Sequence, residues 1–271
     1  MRLFRLLVVL IATTGLTACL NMTTLVKVKP DGSGTVEQTT LMNTAALKGM
    51  MGGKGGGGPV NGPMMDKAEL ERMAANMGEG VRLVSVEPTK GEPGFEGAKA
   101  IFAFDDINKI QVSQGPNMGT GGSRARTSEP SSDDPVKFKL TRSGGTSTLS
   151  IDFVDRPAGT STEKPVPGAG DMPDLTNPML MNMVKTMFQG FKINISLEVV
   201  GSIVKTNAEY VSGPRITLLE LDMPSILADE AKLKELQGKI GSSPSLSELK
   251  PYLKDIKGIK IDGPSISVQF R

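Results

Sequence analysis

Few side chains in this sequence can carry chemistry, and their types narrow what that chemistry is. Cys19 is the single cysteine among 271 residues, and there is no histidine and no tryptophan. Without imidazole, Ser-His-Asp and Cys-His nucleophile systems and histidine metal sites are excluded. One thiol likewise excludes an internal disulfide and a cysteine-cluster metal site. Asp105 and Asp106 are adjacent, as are Asp133 and Asp134. Neighbouring residues point apart on regular structure, so neither pair makes an acid/base couple, and helix capping is the role expected of Asp105 or Asp106. Met179, Met183 and Met187 stand at i, i+4 and i+8, a face of thioethers suited in principle to Cu(I). Leu180, Val184 and Phe188 form an adjoining stripe, which favours a broad apolar face. Met179, Met183, Met187 and Phe188 are therefore the expected face toward the core, an apolar ligand or a partner. In "GGKGGGG", Lys54 is followed by glycine with no hydroxyl residue behind it, so a phosphate loop is not expected. "DGSG" at Asp31 lacks the further acidic ligands of a calcium loop. No catalytic residue, metal site or cofactor is expected.

The segment before Cys19 sets what its thiol does. Arg2 and Arg5 form a basic start, Leu6 to Ala12 is apolar, and Gly15, Thr17 and Ala18 are small. That order is the layout of an export signal, and it is shorter than the ~20 apolar residues that a membrane span needs. Leu16-Thr17-Ala18-Cys19 resembles the bacterial lipobox. The resemblance implies cleavage between Ala18 and Cys19, a diacylglycerol on the Cys19 thiol, and acylation of the new amine. A single acyl chain holds a protein reversibly, whereas two or more hold it stably. By analogy with bacterial sorting, an Asp after the cysteine would favour the inner membrane. Leu20 stands there instead, so the expected location is the periplasmic face of an outer membrane.

Composition removes several partners. Beyond residues 1–18, which hold Arg2 and Arg5 and no acid, 29 basic residues face 29 acidic ones. Nucleic-acid binding calls for a basic excess, and none is present. Nine Phe and two Tyr with no Trp are a poor stock for stacking on sugars or bases.

The chain divides into a signal over residues 1–18 and one domain over 19–271. Gly/Pro-rich loops are expected near 49–65, 113–135 and 156–178, where little apolar periodicity offsets the entropy of ordering. Between them the patterns are regular. Leu25–Lys29 and Thr35–Met42 flank Pro30-Asp31-Gly32-Ser33-Gly34 as a hairpin. Asp66 caps a helix whose Leu70, Met73, Ala74 and Met77 share a face, Glu69 is its capping-box partner and Gly78 its stop. Strands follow at Val81–Glu87 and Phe95–Phe104, and a second hairpin turns at Ser143-Gly144-Gly145-Thr146. Asn177 and Pro178 start the methionine helix, and "KINISLEVV" alternates as a half-buried strand. "SIVKTNAEYV" is expected to pair with "RITLLELDM" about Ser212-Gly213-Pro214. Ser225 should open a helix closed by Gly238, a capping box Ser245 to Glu248 a short helix, and Ser265–Phe270 a last strand. The fold class expected is α+β: an antiparallel β-sheet with packed helices and long Gly/Pro-rich loops.

Three motifs, "VKPDGSGTV", "GAKAIFAFDDINKI" and "VVGSIVKTNAEY", follow the lipobox in order. Together they resemble the LppM-like bacterial envelope lipoproteins. The resemblance implies an ectodomain held at a membrane surface that contacts lipids or glycolipids, and it implies no catalytic residues. The expected function is therefore a non-enzymatic, membrane-anchored envelope lipoprotein that binds a lipid-like ligand or a protein partner. The alternatives are a carboxylate-dependent hydrolase, which needs carboxylates converging from distant segments, and a structural spacer, which needs a large exposed apolar patch.

Overall fold

In the computed structural model, the residues described are 20–44, 66–113, 135–153, 178–232, 253–254 and 256–271. β1 (Leu20–Val28) and β2 (Gly34–Asn43) form the expected hairpin, paired from Leu20↔Met42 to Val28↔Gly34. The turn works as its residues dictate. Asp31 Oδ1 accepts hydrogen bonds from the Ser33 amide and hydroxyl, and Gly32 takes φ +85°. The resemblance of "DGSG" to a calcium loop thus resolves into a side-chain-capped turn.

Helix α1 (Lys67–Met77) is capped by Asp66, whose carboxylate accepts from the amides of Ala68 and Glu69. Glu69 pairs with Arg72 at 3.1 Å. Leu70 and Ala74 are buried, as the periodicity predicts. β3 (Arg82–Lys90) and β4 (Phe95–Phe104) follow, then a 3₁₀ turn (Ile107–Lys109) and β5 (Gln111–Ser113). β6 (Pro135–Ser143) and β7 (Thr146–Phe153) make the second hairpin. Then come α2 (Pro178–Met187), β8 (Lys192–Val199), β9 (Ile203–Thr206), β10 (Val211–Ser212), β11 (Arg215–Asp222), α3 (Met223–Ala228), β12 (Ile259–Ile261) and β13 (Ser265–Phe270).

These strands form two sheets, and the expected α+β class with packed helices is overturned. One sheet has the order β10-β11-β8-β1-β2-β4-β3 with β12 also on β11; the other runs β5-β6-β7-β13-β9. The α-helices α1, α2 and α3 are only 11, 10 and 6 residues long. The main core is built by sheet against sheet. Val26, Val36 and Phe102 lie side by side across β1, β2 and β4, with Leu197 on β8 beside Val26. All four are fully buried in one cluster with Leu149, Ile151, Ile266, Val268 and Phe270 of the second sheet. Burying each such side chain contributes roughly 1.5–3 kcal/mol, so a dozen of them outweigh what short helices supply.

The expectation of an antiparallel sheet is also corrected. β1 pairs β8 in parallel, from Asn21↔Lys192 to Val28↔Val199. The periodicity of "KINISLEVV" reports which side chains are buried and is silent on strand direction. The pairing expected of "SIVKTNAEYV" divides between the sheets. Only Val211–Ser212 pairs with β11, while Ile203–Thr206 joins β13. Helix α3 is capped by Asp222, which accepts from the Ser225 amide, and ends at Asp229, so Ser225 lies inside it. The expected stop at Gly238, the helix at Ser245 and the greater part of the three Gly/Pro loops lie outside the described residues.

Candidate functional site

Ala18 and Cys19 lie outside the described residues, which begin at Leu20. β1 begins at Leu20, which is 4 % exposed and pairs with Met42 of β2; the next residue, Asn21, pairs with both β2 and β8. Leu20 lies at one end of the larger sheet. That end collects the start of β1, the end of β2 at Asn43, the start of β4 at Phe95, the start of β8 at Lys192 and the end of β11 at Asp222.

Its surroundings are ion pairs and aromatic rings. Lys192 Nζ lies 3.2 Å from Glu92 and 3.6 Å from Asp222. Burial opposes the Lys192 charge, but the two carboxylates outweigh it and raise its pKa above 10.5. Lys90 and Glu96 pair at 3.5 Å. Phe188 and Phe191 pack edge to face at 6.0 Å just before β8, and the Met223 amide donates to the Phe191 carbonyl. Phe95 is buried against Gly190, where a Cβ would sit 2.2 Å from its ring.

The expected apolar face on α2 is divided. Met179 is 82 % exposed, whereas Met181 is buried. Met181, Val184 and Phe188 pack with Ile226, Leu227, Leu253, Ile256 and Ile259 into a second, smaller core. The side chains of Met183 and Met187 are outside the described residues. The depression beside this core, lined by Tyr210, Leu253, Lys254, Ile259 and Ile261, has an open volume of about 170 Å³. Small-ligand sites start near 300 Å³, so it is too small to enclose a lipid chain.

Apart from Glu92 and Asp222, which meet across Lys192, the described carboxylates named below stand apart from one another, most of them in ion pairs. Asp105 pairs with Arg82 at 3.1 Å, and Asp106 caps the 3₁₀ turn through the Asn108 amide, which fulfils the capping role expected of one of the two. Hydrogen bonds from the Asn108 amide and side chain lower the Asp106 pKa. Glu198 pairs with Arg215 at 2.7 Å and Glu220 with Lys260 at 3.0 Å. Buried Asp262 accepts from the amides of Glu209 and Gly263, which ties the β9–β10 connection to β12. Among the described residues no group of three or more Asp, Glu, His or Cys could hold a metal ion. No described helix is long and apolar enough to cross a membrane.

The motifs singled out in the sequence prove to be joints of the fold. A Cβ on Gly34 would sit 1.9 Å from the Lys27 carbonyl oxygen, and one on Gly97 1.9 Å from that of Thr40. Gly201, at φ +141°, passes the carbonyl of Arg271. The Asn207 side chain donates to the Ser265 carbonyl at 3.2 Å and accepts from the Ser267 amide at 2.7 Å, extending β9 along β13. Nothing in the sequence could have separated these joints from ligand contacts, because glycine and asparagine serve both.

No protein-family model and no curated protein matches the chain. Among solved structures it is similar to the folded domain of the Mycobacterium tuberculosis LppM protein, determined by NMR. The two are 12% identical over 94% of this chain and 91% of that domain, with a TM-score of 0.35.

Proposed function

We propose that this chain is a cell-envelope lipoprotein, held by an acylated Cys19, whose two-sheet domain binds a lipid-like or protein partner and has no enzymatic activity. The observation that carries the reading is the joining of two features: the Leu16-Thr17-Ala18-Cys19 sequence behind its basic and apolar leader, and a sheet that starts at the very next residue. A cleavage before Cys19 leaves every described residue in the mature chain. The non-enzymatic part is supported by the ion pairing of the described carboxylates: Asp105, Glu198 and Glu220 each face one cation, and Glu92 and Asp222 meet only across the Lys192 ammonium. The exposure of Met179 on α2, beside buried Met181, favours recognition on a surface. The location proposed is the periplasmic face of an outer membrane, following the Leu20 that succeeds Cys19.

Mass spectrometry of the protein extracted from native membranes tests this. The expected result is a chain starting at Cys19 with the mass of a diacylglycerol and an amide-linked acyl group, and with co-purifying lipid or protein. A chain that keeps residues 1–18, or an unmodified thiol, overturns it.

A further inference from the structure

We infer that the domain stands on the membrane on the β1-start end of its larger sheet, with that end pressed against a phospholipid surface. The inference rests on the proposed acylation of Cys19 and goes beyond it, because an anchor alone does not orient a domain. A long flexible linker would leave the domain free to tumble above the bilayer. Here the residue after Cys19 is Leu20, which is buried and paired with Met42, and Asn21 behind it is paired on both sides, with Leu41 and Lys192. The lipid glycerol and the first pleat of β1 are separated only by the cysteine itself.

The chemistry of this end suits a headgroup layer. Its cations and anions alternate and are paired, Lys90 with Glu96 and Lys192 with Glu92 and Asp222. Such pairing does not need an anionic lipid, so a zwitterionic phospholipid is sufficient. Phe188, Phe191 and Met223 are half-buried there and offer apolar area at interface depth. β1 rises through nine residues at ~3.3 Å each, which lifts the Pro30–Ser33 turn ~30 Å from the bilayer. The near end touches lipid, and the Pro30–Ser33 turn faces away from it.

Full-length acylated protein in phosphatidylcholine vesicles makes the test simple, because an acylated Cys19 leaves no other thiol to label. Single variants Glu92→Cys and Glu96→Cys report the near end, and Lys29→Cys the far turn, each carrying a fluorophore. The expected result is several-fold stronger quenching by headgroup-labelled lipid, and several-fold weaker quenching by aqueous iodide, at 92 and 96 than at 29. A Gly/Ser insert of about 20 residues between Cys19 and Leu20 should erase that difference while membrane attachment persists. Equal quenching at all three positions, in protein whose mass proves acylation, overturns the orientation and leaves the lipoprotein reading standing. An unmodified Cys19 overturns both.

Discussion

Glu37 sits on β2 between Lys27 at 2.5 Å and Lys99 at 2.7 Å, with its side chain only 15% exposed. Burial alone would push its carboxyl up, but hydrogen bonds and charge from the two lysines win and hold it below its ordinary 4.5. A carboxylate with a lowered folded pKa stabilises the fold above its unfolded pKa, and that stability is lost as pH falls through the folded value. Urea midpoints measured from pH 7 down to pH 3 should therefore fall below about pH 4.5. Glu37→Gln should lower the midpoint at pH 7 by the equivalent of ~1–2 kcal/mol, as expected for a charged hydrogen-bonded group, and should flatten the acid side of the curve. Lys192 works in the opposite sense. Its pKa is raised, so its contribution is complete at neutral pH and is lost only as pH climbs past 10.5. At Cys19 the consequence is attachment: Cys19→Ser should move the protein from the membrane pellet to the soluble fraction, read by fractionation and immunoblot.

Elements succeed or fail here at their points of closest approach. Gly97 lets β4 pass β2 where a methyl group would collide with the Thr40 carbonyl and the Leu41 Cα. Gly97→Ala should cost roughly 1–3 kcal/mol, the range for overpacking a tight site, and circular dichroism melts would register it. The opposite outcome, an unchanged melting temperature, would mean that β2 and β4 can part without loss. Asn207→Ala should unpin β9 from β13, and amide exchange would speed up first at Ser267, whose amide loses its acceptor. Both hairpins were legible in the sequence because Pro30-Asp31-Gly32 and Ser143-Gly144-Gly145 are local instructions. The parallel β1–β8 pairing joins Asn21 to Lys192 across more than half the chain, and no short-range pattern encodes it. The same holds for the division of 203–212 between two sheets. The apolar arc of α2 was visible, yet which side it buries depends on Ile226, Leu253 and Ile256, each far along the chain.

At the scale of the molecule the two sheets share one main core, so they should not melt separately. Ile151 is fully buried beside Val26 and Phe102 in that cluster. Ile151→Ala should remove ~2–5 kcal/mol, and fluorescence and circular dichroism should still report one coincident transition. Two resolved transitions would show that the sheets fold as independent units. The candidate site was legible in an uneven way. Leu16-Thr17-Ala18-Cys19 is a linear segment and can be read as one, whereas the end of the larger sheet around Leu20 assembles from five strands and exists only in the fold. The place of β1 in the middle of its sheet has a mechanical consequence. A pull on the start of β1 runs along the strand and loads the ladders to β2 and β8 at once, the antiparallel bonds to β2 lying across the strand and the parallel bonds to β8 slanted to it. They carry such a load together in shear, where an edge strand would peel one bond at a time, so the chain enters the sheet at the part of the domain that is hardest to pull out.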